Sequence, residues 1–176
     1  MKWADLPEAD QRRLLFAPCR TPEALKLWLR RFLGLDLPDP KVDPDSNSPP
    51  FDLVYEIYSK ALANNDPEFS RILGYAARES MKTLATAIIE VLALVHLDRS
   101  VVHLAAVLQQ SQKASSYVKE FFNRPLLRDH IVLDNERKKE VVRYQHDDGT
   151  ILTPKQFAAL SVPERGSYTA IKNDII

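Results

Sequence analysis

Apolar positions recur at helical spacing through most of the first half of this 176-residue chain. In TPEALKLWLRRFLGL, Leu25, Trp28, Leu29 and Phe32 fall on one face of a helix that Thr21 caps, Pro22 opens and Gly34 stops. Residues 37–50, LPDPKVDPDSNSPP, hold five prolines among Asp and Ser, and this composition predicts a linker or extended loop. FDLVYEIYSKALA then sets Phe51, Val54, Tyr55, Tyr58 and Leu62 on a second helical face, which NNDPEF interrupts.

From residue 70 the pattern changes. RILGYAA is a short apolar run that reads as a strand, and KTLATAIIEVLALVH is a helix apolar enough to predict burial against a sheet. SVVHLAAV, residues 100–107, is a second β-branched run, followed by the amphipathic helix LQQSQKASSYVKEFF. Strand, helix, strand, helix predicts an α/β unit with mainly parallel strands flanked by helices. Farther on, KKEVVRYQHDDGTIL reads as a hairpin around Asp148-Gly149, TPKQF as a short helix capped by Thr153, and SYTAIKNDII as the approach to another strand. The domain reading is a helical extension with a Pro-rich linker over residues 1–50, then an α/β core over 51–176 that reads as truncated.

Composition narrows the classes. Hydrophobic residues make up 45% of the chain, which argues for a folded core. The 24 basic and 24 acidic residues cancel, so any contact with DNA has to be local. Cys19 is the single cysteine, which excludes an internal disulfide, and no Cys or His spacing suits a metal. The start, MKWADLPEADQRRLLF, lacks the apolar run of a signal peptide, and nowhere do eighteen apolar residues run together. A soluble protein of a reducing, cytoplasmic compartment is expected.

The stretch that carries chemistry is GYAARESMKT, residues 74–83. Phosphate-binding loops of pattern G-x-x-x-x-G-K-[ST] wrap phosphates with backbone N–H groups at a helix start, while Lys adds charge and the hydroxyl holds magnesium. Lys82 and Thr83 match the end of that pattern, but Ala76 and Met81 stand where it has glycine. A positive φ at Met81 would cost about 1–2 kcal/mol, which several charge-assisted phosphate bonds offset. The expected context, a strand before and a long helix after, is present. Without it, a Lys-Thr pair at a helix start is simply a solvated lysine and a cap. Arg78, four residues before Lys82, is placed to neutralise charge on a γ-phosphate, or else to pair with Glu79 on the surface.

These residues resemble the large subunit of bacteriophage terminase, the ATPase of the viral DNA-packaging motor. Its loops are commonly irregular at the glycines and carry an Arg shortly before the Lys-[ST] pair, as AARESMKT does. VVHLAAVLQQSQKASSYVKEFF resembles the strand and Gln-rich helix that follow, and PPFDLVYEIYSKALA the helix leading into the core. The resemblance runs over about residues 50–125 and implies a P-loop ATPase core. It implies that Lys82 binds the β- and γ-phosphates of ATP, that Thr83 ligates Mg2+, and that Arg78 couples nucleotide state to the motor. The backbone of Ala77, Glu79, Ser80 and Met81 would complete the cradle. The implied partners are viral double-stranded DNA, the portal protein, the small terminase subunit and further copies in a ring. The implied location is the host cytoplasm, transiently at the procapsid portal. The family's second motif, an apolar run ending in Asp-Glu, has no match; HIVLDNE, with Asp134 and Glu136 split by Asn135, is the nearest stretch. A degenerate fold serving as a non-catalytic interaction module, and a helicase-like motor ATPase, are the alternatives.

Other chemistry-bearing residues read more plainly as structure. His146, Asp147 and Asp148 sit in the expected turn. His96 and His103 lie on apolar elements and read as core. Cys19 reads as a small packed residue rather than a reactive thiol. Arg137, Lys138, Lys139 and Arg143 interleave with Glu136 and Glu140, the pattern of a solvated face more than of a phosphate-binding one. Phe51 and Asp52 lie in the neighbourhood expected of base contacts, without a motif to support that role.

Overall fold

A computed structural model describes residues 6–38, 49–63, 81–106, 108–134 and 138–176. Helix α1 spans Glu8–Phe16, and α2 spans Pro22–Trp28 and continues into a π-helical turn, Leu29–Leu33. Three longer helices follow: α3 Pro50–Ala63, α4 Lys82–His96 and α5 Leu108–Phe122. After a 3-10 turn, Arg128–His130, come β1 Ile131–Asp134, β2 Lys139–His146 and β3 Ile151–Leu152. The short helices α6 Pro154–Ala158 and α7 Val162–Arg165 lead to β4 Tyr168–Ile175. No helix among the described residues is long and apolar enough to cross a membrane.

Local signals act where the sequence puts them. Thr21 Oγ1 accepts from Ala24 N, Pro22 opens α2, and Gly34 ends the π-turn at φ 65°. At Gly34 a side chain would be strained, and its Cβ would meet the Arg124 guanidinium at 2.9 Å. Thr153 and Gln156 form the reciprocal cap of α6, with Pro154 in its first turn.

The fold is mixed α/β, but its sheet is antiparallel. β2 lies at the centre, paired along its whole length with β4, from Lys139↔Ile175 to His146↔Tyr168. β1 and β3 share the other edge, β1 beside Lys139–Val141 and β3 beside Tyr144 and Gln145. The mainly parallel sheet of a P-loop core is therefore corrected among the described residues. The reason is the connectivity: the Asp147–Thr150 turn reverses the chain directly and β4 returns along β2, whereas parallel neighbours require a crossover.

The run at 100–107 also differs from its expectation. Among its described residues only Val101 makes a ladder contact, a parallel bridge to Ile175. It rests on the bonds Val101 N to Asp174 O, Ile176 N to Val101 O and His103 N to Ile176 O, at 2.7–3.0 Å. Val102 and Leu104 point to solvent, so the β-branched run forms a fringe of the sheet rather than a buried strand. The strand expected at RILGYAA lies outside the described residues.

One hydrophobic core joins these elements. α4 runs through it, with Ala87, Ile88, Val91, Leu94 and Val95 buried against Leu15 of α1, Trp28 of α2, Tyr58 of α3 and Phe121 and Phe122 of α5. Its apolar sequence is thus satisfied mainly by helices. Contact with the sheet comes at β4, where Asn173 Nδ2 donates to Leu94 O at 3.1 Å. On the far side of the sheet α6 is held by Phe157 stacked on Tyr144 of β2, with ring centroids 3.7 Å apart.

Candidate functional site

Four of the residues expected to cradle phosphate, Ala77, Arg78, Glu79 and Ser80, lie outside the described residues. Met81, Lys82 and Thr83 are described, and they open α4. Met81 has φ 59° and ψ 17°, the left-handed conformation, at the position where the phosphate-loop pattern has its second glycine. L-residues enter this region at a cost of about 1–2 kcal/mol. The first helical bond runs from Ala85 N to Met81 O at 2.8 Å, which leaves the amides of Lys82, Thr83 and Leu84 without an intrahelical acceptor. Among the described residues no side chain caps this end, and no acidic residue stands in the first turn of the helix.

Lys82 is exposed and borders a cleft of about 500 Å³ between α3, α4 and residues 101–104. Leu53 and Ile57 form one wall, Ala85, Ile89 and Ala93 the floor, and Val101 and Leu104 the other wall. Helical periodicity puts Lys82, Thr86 and Glu90 in a row along the floor, one turn apart. Thr86 Oγ1 turns back to donate to Lys82 O at 3.0 Å.

Glu90 closes the inner end of that row. Its exposure is 4%, and its Oε1 accepts a short hydrogen bond from His103 Nδ1. Its Oε2 is buried with no hydrogen-bond partner among the described residues. Burial raises the carboxyl pKa, while the His103 bond and the nearby Lys139 charge oppose that rise. Behind Glu90 a smaller cavity of about 50 Å³ is bordered by Ser111, Ser115 and Lys139, whose ammonium donates to Ser115 Oγ at 2.9 Å. Sequence reading passes over Glu90. The available signal is that it is the one charged residue between Lys82 and His96 in an otherwise apolar helix, eight positions after the lysine.

The remaining candidates resolve into structure. His96 is buried in a complete network: Cys19 N–H donates to Tyr58 Oη at 2.8 Å, Tyr58 O–H to His96 Nδ1 at 2.6 Å, and His96 Nε2–H to Leu15 O at 3.1 Å. These partners fix the neutral tautomer, and desolvation lowers its pKa to about 4. Cys19 is buried and its thiol pKa is pushed up to about 11, the opposite of an activated nucleophile.

Two residues of the basic cluster, Lys139 and Arg143, are buried instead of lying on a solvated face. Lys139 is buried on Ser115, Lys138 pairs with Asp174 at 2.6 Å, and buried Arg143 pairs with Asp98 at 2.7 Å and lies over the Phe16 ring. Arg137 lies outside the described residues. In the turn, Asp148 accepts from Thr150 N at 2.7 Å and faces His146 at 3.1 Å, while Gly149 adopts φ 85°; this is turn chemistry. No group of three or more His, Cys, Asp or Glu suited to a metal occurs among the described residues. Phe51 is buried and stacked beside Tyr55, so it is not open to a base. Glu136 and the side chain of Asp134 lie outside the described residues.

No protein-family model matches the chain, and neither the curated proteins nor the solved structures include a significant match to it.

Proposed function

We propose that the start of α4 binds the phosphates of a nucleotide, and that the chain belongs to the nucleotide-binding part of a terminase-like DNA-packaging ATPase. The observation that carries this reading is Met81 at φ 59°. A non-glycine residue holds the left-handed conformation at the position where the loop pattern needs it, directly before Lys82 and Thr83. Left-handed and right-handed residues in succession turn neighbouring amides toward one point, which is the geometry of an anion-binding nest. Lys82 at the rim of the cleft adds the positive charge.

Magnesium fits less fully than phosphate. Thr83 is the hydroxyl that would hold the ion, and no acidic cluster among the described residues stands ready to complete its shell. The residues therefore support binding more strongly than hydrolysis. In this reading Arg78 senses the γ-phosphate, and viral duplex DNA, the portal protein and the small subunit are partners of the assembled motor. A second reading, a nucleotide-independent interaction module, is favoured by the antiparallel sheet.

Calorimetric titration with Mg-ATP separates the two. The wild-type chain is expected to bind, and Lys82→Ala to weaken binding about tenfold or more, in line with loss of a charged hydrogen bond. Equal, negligible heats from both proteins would remove the phosphate site and leave the interaction module.

A further inference from the structure

We infer that α1 is a clasp that acid releases: its last turn is gripped from two sides, by His96 of α4 and by His130 of the 3-10 turn, and protonation of these imidazoles frees it while α4 stays folded. Leu15 and Phe16, neighbours in sequence, each meet one of the two buried histidines.

The clasp has few anchors. α1 buries Arg12, Leu15 and Phe16, whereas α4 is buried along most of its length from Ala85 to His96 and is covered by α2, α3 and α5 as well. Leu15 O accepts from His96 Nε2 at 3.1 Å and from Trp28 Nε1 at 3.0 Å. The Phe16 ring stands T-shaped to the His130 ring, with centroids 4.8 Å apart, and the Arg143 guanidinium lies over it at 4.6 Å. Arg13 donates to Gly149 O at 3.1 Å and to Asp148 O at 3.3 Å, so the same helix also ties down the hairpin turn.

Both rings fit their sites only as neutral imidazoles. His130 Nδ1–H donates to Val142 O at 3.0 Å, and its buried Nε2 has no partner among the described residues. A proton on Nε2 finds no acceptor there, and its charge adds to those of Arg12 on α1 and Arg143 on β2, with Asp129 as the opposing acid. The two arginines are already paired, with Glu8 and Asp98. At His96 a proton on Nδ1 obliges the Tyr58 hydroxyl to turn its own proton away, and the Arg143 charge again opposes it. Cys19, bonded to the same hydroxyl through its amide, brings no compensating charge, because burial pushes its thiol up to about 11.

Burial and these charges lower both imidazoles from 6.5 to about 4. Departure of α1 opens both rings to water, so the released form takes up protons that the docked form refuses. Release therefore grows as pH falls below 6.5 and levels off below about 4, by roughly a hundredfold per histidine across that window. Once undocked, a nine-residue helix is too short to persist.

Hydrogen exchange of the full chain, read by mass spectrometry from pH 7 to pH 4.5 and corrected for the intrinsic pH dependence of exchange, tests the clasp. Amides 11–16 are expected to open roughly a thousandfold more at pH 4.5 than at pH 7. At pH 4.5 they should also open about tenfold or more above amides 86–96 of α4, the mark of a local release. His130→Asn keeps a donor for Val142 O, and His96→Gln keeps one for Leu15 O, without a ring that titrates. Each is expected to take about one proton out of the pH dependence of α1 opening, and where a variant fails to fold the wild-type profile decides alone. Equal opening of α1 and α4 at every pH would mean global unfolding and no clasp. Opening of α1 that ignores pH, or variants that keep the full wild-type pH dependence, would remove the histidines as its trigger.

Discussion

Two imidazoles, the buried His96 of α4 and the half-buried His103 beside it, are built differently. Around His96 every polar atom has a partner: the Cys19 amide, the Tyr58 hydroxyl, both ring nitrogens and the Leu15 carbonyl, which also accepts from Trp28 Nε1 at 3.0 Å. Around His103 the chain of bonds stops at Glu90 Oε2, beside a cleft. A closed network pins α1, α2, α3 and α4 together. An open one leaves a buried acceptor unsatisfied, which costs stability.

Acid should break this contrast most strongly. His96 and His130, both held down to about 4 by burial, stay neutral in the fold, while the unfolded chain protonates them below about pH 6.5. Their contribution is fully present above pH 6.5, is lost as pH falls toward 4, and changes no further below that. The loss is on the order of 3 kcal/mol per histidine across the window. Glu90 works in the opposite sense, because its raised pKa means that acid favours the folded form at that site. Urea midpoints between pH 7 and pH 4 should therefore fall, with about one to two protons taken up on unfolding near pH 5. A flat profile would contradict the burial of both histidines as neutral groups.

His96→Ala comes next in size. It empties a buried site and leaves the Tyr58 hydroxyl proton without its acceptor, so a loss of about 3 kcal/mol is expected in equilibrium unfolding at pH 7. A loss below about 1 kcal/mol would mean that the closed network contributes little.

Glu90→Gln should have the smallest effect on the fold, within about 1 kcal/mol, because relief of a desolvated charge offsets the weakened His103 bond. It should also steepen the acid loss, since the opposing titration disappears. Destabilisation of about 3 kcal/mol or more would place Glu90 with His96 as a structural group and erase the difference between the two clusters.

The sequence was most legible where short-range chemistry decides. Thr21-Pro22 and Thr153-Pro154 start helices, Gly34 stops one, and Asp148-Gly149 turns the hairpin, all through interactions within a few residues. The row on α4 was half legible: Lys82 belongs to a motif, whereas Glu90 gains meaning only from His103, thirteen residues away, and from α3 across the cleft. Arg143 and Lys139 read as surface charges because their partners, Asp98 and Ser115, lie far back in the chain.

The apolar run at 100–107 shows the same boundary from the other side. Its β-branched composition favours extended backbone, and residues 101–103 are extended enough to pair with 174–176. Whether such a run becomes a central parallel strand or an exposed fringe depends on which segments flank it, and composition does not encode that. By itself the sequence determined α2 to α6 and the hairpin, because helical period, caps and turn residues act locally. The tertiary structure alone decided the antiparallel order of the sheet, the burial of the basic residues and the unsatisfied Glu90 at the end of a cleft. Each of these depends on surfaces brought together from distant parts of the chain, and burial sets their energies.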